Sequence, residues 1–298
     1  MDNANAASAD SQRKPSALGQ RVLSAAVLLP LVIVCVWWGF WPFAVLVVTA
    51  TAFGLSELYA AFFHGGFRPQ PPLGIALALL MIAALALLAL TGINLLAPVI
   101  ALIIMIGLAA SAPRHAERGA LAGWALTVGG ALYIGGLLGF LLLLRAMDAS
   151  LHGGLLAALQ PQPGGAWVFL VLMATWGQDV FAYLVGRHWG RHTMAPHLSP
   201  RKTWEGAAGG MAGSLAGAIL ATILFGLPLP LWQTLLIGML AGIAGPAGDL
   251  SESFIKRQVG LKDASSLIPG HGGVLDRVDS VLFSAPAIYM LLVLLGLA

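Results

Sequence analysis

Near the carboxyl end the chain interleaves acids, bases and small residues over Asp249–Ser280, reading DLSESFIKRQVGLKDASSLIPGHGGVLDRVDS. Asp276 and Asp279 are three apart, so a helix starting there carries both carboxylates on one face. With Asp249 as a third arm and Asp263 as a candidate fourth, they would form a hard-oxygen site. Such a site suits Mg²⁺, which keeps waters and phosphate oxygens as its remaining ligands. Lys256, Arg257, Lys262 and Arg277 supply positive charge for phosphate oxygens, arginine as a fork and lysine as a point charge. Gly270, Gly272 and Gly273 flank His271 and let backbone N–H groups converge on an anion. Taken alone, a turn histidine reads first as one hydrogen-bonded to backbone. A solvated hairpin obeying an orientation bias would need the cations but no carboxylates. Five acids stand here beside apolar spans, where unmatched charge is costly.

A second polar stretch runs from Asp179 to Gly206. Ser199 and Pro200 read as the N-cap and first-turn pair of a helix. Arg201 and Lys202 would then sit at the helix's positive end, a conflict that a bound anion resolves and that anchoring in anionic headgroups explains equally well. His188, His192 and His197 lack a ligand pattern with acids or cysteines, which favours a hydrated basic loop. Glu57 and Asp179 fall at span ends, as packing ion pairs or as orienters of other groups, with packing the first reading for Glu57.

These residues must be positioned by membrane helices. Of 298 residues, 59% are hydrophobic and only 9% charged, and mean hydropathy is +0.89, which excludes a water-soluble globular enzyme. Net charge is +3, and the basic pI of 9.3 reflects loops facing a membrane surface, with no nucleic-acid partner. The single cysteine, Cys35, precludes an intramolecular disulfide.

Nine apolar runs are long enough to span: Val22–Phe40, Trp41–Phe63, Pro72–Leu90, Ile93–Ser111, Ala120–Leu144, Ala166–Val185, Ala207–Phe225, Leu231–Ala247 and Val278–Leu297. The first continues into Trp37, Trp38 and Trp41 without a small-residue cleavage site, so it reads as a retained span. With the amino terminus cytoplasmic and the carboxyl terminus outside, 14 of the 15 Lys and Arg face inward and only Arg145 lies outside. Eight of nine tryptophans fall near span ends. Gly209, Gly213 and Gly217, with Gly206, Gly210 and Ser214, form smooth stripes for helix packing, within the chain or between two copies as a homodimer. Gly129, Gly130, Gly135 and Gly136 pack or bend the fifth run. The fold class expected is all-α and polytopic: a disordered tail over 1–20, an amino-terminal scaffold of about five helices over 21–165, and a catalytic region of about four helices with two polar cytoplasmic loops over 166–298.

The Asp249–Asp279 stretch resembles the signature of the phosphatidate cytidylyltransferases, with Ser253, Lys256, Arg257, Lys262, Asp263, His271, Gly272, Gly273, Asp276, Arg277 and Asp279 in register and no departure. The upstream block is similar too, through Asp179, Ala182, Tyr183, Gly186, Gly190, Pro196, Ser199, Pro200, Lys202, Thr203, Glu205 and Gly206; Arg201 precedes Lys202 where a lysine is often found. The two blocks cover about the last 120 residues. The resemblance implies transfer of CMP from CTP to phosphatidic acid within the bilayer, giving CDP-diacylglycerol and pyrophosphate with Mg²⁺ and leaving a second cation open. It implies Asp249, Asp276 and Asp279 as metal ligands, with Asp263 as a candidate fourth. Lys256, Arg257, Lys262 and Arg277 would hold the phosphates, His271, Gly272 and Gly273 the phosphate-holding turn, and Ser199, Arg201 and Lys202 a further anion site. The setting expected is a bacterial plasma membrane. A transporter of a charged solute is the alternative from another class, but its charges belong at midplane and no inverted repeat is evident. A CDP-alcohol phosphotransferase would begin its acidic run with Asp-Gly, a dipeptide this chain lacks.

Overall fold

The computed structural model describes residues 17–263, 265 and 272–298. All nine predicted runs fall on helices: α1 (Ala17–Trp38), α2 (Phe40–His64), α3 (Pro71–Thr91), α4 (Leu96–Ser111), α5 and α6 (Ala120–Gly130 and Leu137–Ala146), α7 (Pro163–Trp189), α8 (Trp204–Phe225), α9 (Leu231–Gln258) and α10 (Leu275–Leu294). Among the described residues eight helical segments are long and apolar enough to cross a membrane, α5 and α6 counting as one. Ala26–Trp38 of α1 adds a shorter apolar stretch. The protein is an all-α polytopic membrane protein. Most of the expected tail lies outside the described residues, and α1 begins at Ala17, inside it.

Three local features differ from the sequence expectation. First, α9 runs to Gln258, well past the predicted end at Ala247. The apolar criterion stops where charge begins, yet Glu252 and Lys256 continue the helix's buried face, 1% and 9% exposed. Second, the loop after α7 folds into an antiparallel hairpin of β1 (Thr193–Ala195) and β2 (Ser199–Thr203). Ser199 and Pro200 therefore lie in a strand and do not open α8. Thr203 caps that helix, its hydroxyl accepting from the Gly206 amide at 3.1 Å. Third, a π-helical turn, Ala131–Gly136, joins α5 to α6, so the fifth run is one continuous rod with a local widening.

The largest interface is the α7–α8 hairpin. A Cβ on Gly177 would lie 2.5 Å from the Gly213 carbonyl oxygen, and one on Gly213 would lie 2.6 Å from the Phe181 Cβ, so these backbones touch. The other predicted stripe faces α7 through Gly206 and Gly210, while Ser214 meets α9 near Gly238 and Gly242. Both small-residue faces are thus filled by the chain's own helices, the first of the two alternatives that the sequence left open. On the scaffold side, Tyr59 of α2 is fully buried and donates to the Thr127 carbonyl at 2.7 Å, in space that Gly74 and Gly130 leave open.

Loop ends sort to two ends of the bundle. Gly65, after α2, packs on Val259, after α9, and the Arg114 guanidinium after α4 donates to the Arg68 carbonyl. The start of α10 joins this end through Glu57. At the opposite end Arg145, closing α6, is 5% exposed; it donates to the Val36 carbonyl of α1 and to Gln162 just before α7.

Candidate active site

The polar residues of α9 and α10 meet at the first of these ends. Asp249 and Glu252 are three apart on α9, which places both on the stripe facing α10. Asp279 reaches them from the second turn of α10, and carboxylate oxygens of Asp249, Glu252 and Asp279 lie within 4.8 Å of one another. Lys256, one turn beyond Glu252, bridges Glu252 and Asp276, each at 2.6 Å. Lys202 Nζ, delivered by β2, lies 2.6 Å from Asp249 Oδ2. That ammonium is buried and forms an ion pair with Asp249. Asp179 of α7 is exposed and lies in the field of Asp249 and Asp279, with the Ser280 hydroxyl donating to it at 3.4 Å.

Five carboxylates therefore gather around two paired ammonium groups, with the Arg277 guanidinium also felt by Asp179, an excess of two formal negative charges in a partly desolvated place. Such an excess is costly without a cation. Glu252 Oε1 is buried with no hydrogen-bond partner, and so is the hydroxyl of Tyr133, which the π turn carries and which feels the charges of Glu252 and Asp279. A divalent ion with oxygen ligands fits this donor set: hard oxygens, clustered, one of them orphaned.

The turn before α10 is shaped by two glycines. Gly272 has φ +79°, a left-handed conformation that suits glycine, and a Cβ on Gly273 would fall 2.5 Å from Glu57 Oε2. Amides of this turn do converge on anions, but the anions are protein carboxylates. Gly273 N donates to Asp276 Oδ2 at 2.8 Å, and Val274 and Leu275 donate to Glu57. Of the other predicted site residues, Arg257 is exposed and donates to the carbonyls of Leu198 and Leu261. Arg201, Lys262, Asp263 and Arg277 are exposed, Arg277 in the field of Asp179, and Ser199 is half-buried in β2. His271 lies outside the described residues.

Asp249 and Asp279 thus stand together as expected, while Asp276 faces Lys256 and a backbone amide, and Glu252 occupies the third corner of the trio. Glu252 was legible in principle, because Asp249, Glu252 and Lys256 are spaced as one helical face once α9 is extended through the charges. His192 and Glu205, by contrast, pair at 2.5 Å across the hairpin, with the Arg191 and His192 amides also donating to Glu205; this is a local brace for β1 and β2.

Residues 19–295 match the sequence profile of the Cytidylyltransferase family. Among curated relatives, the phosphatidate cytidylyltransferase of Mycobacterium bovis is 41% identical over 135 residues, 45% of this chain and 44% of that protein. The one from Bacillus subtilis is 39% identical over 133 residues, 45% of this chain and 49% of the relative. That of Staphylococcus saprophyticus is 35% identical over 161 residues, 54% and 56% of the two chains. The aligned segment spans roughly half of each relative's own length.

Proposed function

The chain belongs to the cytidylyltransferase family, and from that premise we propose that it transfers CMP from CTP to phosphatidic acid, giving CDP-diacylglycerol and pyrophosphate. The reaction would take place in a bacterial plasma membrane, with the acid cluster at the cytoplasmic surface. The observation that carries this reading is the meeting of Asp249, Glu252 and Asp279 beside two lysines in a family of that chemistry. The relatives' names supply the lipid substrate.

A phosphate oxygen of phosphatidic acid attacks the α-phosphorus of CTP, and the bond from that phosphorus to the bridging oxygen of the β-phosphate breaks, so pyrophosphate leaves. The nucleophile is already an anion and needs no strong general base. Alignment and charge neutralisation therefore supply most of the rate. Asp249, Glu252 and Asp279 would hold Mg²⁺, which when bound neutralises phosphate oxygens, and Asp179 near them leaves acidic charge for a second cation. Lys202, paired with Asp249 at the edge of the trio, would offer its positive charge to a phosphate, and Lys256 keeps Glu252 and Asp276 in fixed register. Arg201, Arg257, Lys262 and Arg277, all exposed, would receive the triphosphate and the lipid phosphate. Asp276 is placed by its bond to Lys256 as the acid that orients this network. Ser199 belongs to the hairpin that delivers Lys202. Gly272 and Gly273 shape the entry to α10, and Asp263 and His271 remain in the proposed site through the family motif.

The test is incubation of purified protein with labelled CTP, phosphatidic acid and Mg²⁺. A cytidine label that partitions with lipid, lost when the divalent ion is chelated, is expected. Label that stays aqueous in the presence of all three sinks the proposal.

A further inference from the structure

We infer that Glu57, on α2, is a positioning residue that clamps the first turn of α10 and so sets where Asp276 and Asp279 stand. As far as catalysis is concerned this rests on the proposed reaction. The clamp itself rests on geometry. Glu57 is 6% exposed. Its Oε1 accepts from the Val274 amide at 3.0 Å and the Ser265 hydroxyl at 2.6 Å, and its Oε2 accepts from the Leu275 amide at 2.8 Å. Val274 and Leu275 open α10, where amides have no intrahelical acceptor. The helix has no side-chain cap from its own N-cap residue, so a carboxylate more than two hundred residues upstream does that work.

Charge makes the fit specific. A carboxylate at a helix's positive end is favoured by the macrodipole and by charge-assisted bonds, which offset the cost of burying Glu57. Both of its oxygens are engaged, so Gln, though nearly the same shape, would turn an NH₂ donor toward a donor. Asp would keep the charge but fall one methylene short. Gly273 lets the backbone approach, since a side chain there would meet the carboxylate. Asp276 and Asp279 follow within the first two turns of the same rigid helix, so loosening its start moves both relative to Asp249 and Glu252 on α9.

The experiment compares the full-length wild type with Glu57→Gln, Glu57→Asp and Ser265→Ala, using hydrogen exchange by mass spectrometry and steady-state kinetics. Glu57→Gln should speed exchange across residues 272–280 at least tenfold and leave α8 unchanged. It should lower kcat at least tenfold with the KM for CTP nearly constant, and Glu57→Asp should fall between. Unchanged exchange at 272–280 overturns the clamp, and faster exchange with wild-type kcat overturns its role in positioning the acids. If Glu57→Gln does not fold, Ser265→Ala decides: a smaller rise in the same peptide supports the clamp, and none overturns it. An inactive wild type would sink the proposed reaction alone, because the exchange comparison still reads the clamp.

Discussion

At the residue scale, the site separates acids by what each one touches. Asp279 and Glu252 point into the carboxylate trio, whereas Asp276 is taken by Lys256 and the Gly273 amide. Asp279→Asn should therefore cut turnover by about a hundredfold or more, since it removes preorganised charge where phosphate charge is handled, and should raise the Mg²⁺ concentration needed for half-maximal rate. Near-normal Mg²⁺ dependence in the purified variant would remove Asp279 from the metal assignment. Lys256 makes a different case. Replacing it by Ala would leave Glu252, 1% exposed, and Asp276 without their shared cation, which typically destabilises by about 3–5 kcal/mol. Thermal unfolding in detergent should show that loss even with no substrate present. Lys202 is less enclosed by acids, and Lys202→Ala should mainly raise the KM for CTP or for lipid. Unchanged values for both substrates would return that side chain to a purely electrostatic role beside Asp249.

At the scale of elements, the α7–α8 hairpin places Asp179 near the cluster, and β2, leading into α8, delivers Lys202 to it. The hairpin depends on backbone contact at Gly177 and Gly213. Gly213→Val would press branched carbons against the Gly177 carbonyl and the Phe181 Cβ, neither of which can swing aside. Destabilisation of at least about 1–3 kcal/mol is expected, read as a lowered unfolding temperature. Gly129→Ala, inside α5 at a position with open space around its would-be Cβ, should not lower that temperature and serves as the control. The glycine spacing announced this contact in the sequence, and the apolar runs announced every spanning helix, because a bilayer forces both patterns. The extension of α9 and the hairpin after α7 were hidden for one shared reason. Charged residues that would mark a loop in a membrane protein are here neutralised by partners far along the chain, Lys256 by Asp276 and Lys202 by Asp249. The convergence of Asp249 and Asp279 was legible from the clustering of acids in one polar stretch, but the turn of Asp276 toward Lys256 was not, because it depends on how α9 and α10 cross.

At the scale of the whole molecule, the segregation of loop ends turns a question about charge into one about sidedness. The acid cluster shares its end of the bundle with the turns after α2 and α4, while Arg145 lies at the opposite end beside the starts and finishes of α1, α6 and α7. Cationic loops are retained on the cytoplasmic side during insertion. The end holding Arg68, Arg114 and Arg118 should therefore be cytoplasmic, where CTP is available, and the segment between α6 and α7 should face outward. Cys35 is the chain's single native thiol, so a Cys35→Ser background gives a clean slate for labelling. On it, Ser150→Cys, exposed between α6 and α7, should react with a membrane-impermeant maleimide in intact cells. Arg118→Cys, exposed before α5, should react only after the membrane is opened. The reverse pattern would place the carboxylates on the side without nucleotide. A chain in that orientation could not carry out the transfer, however well its acids were arranged.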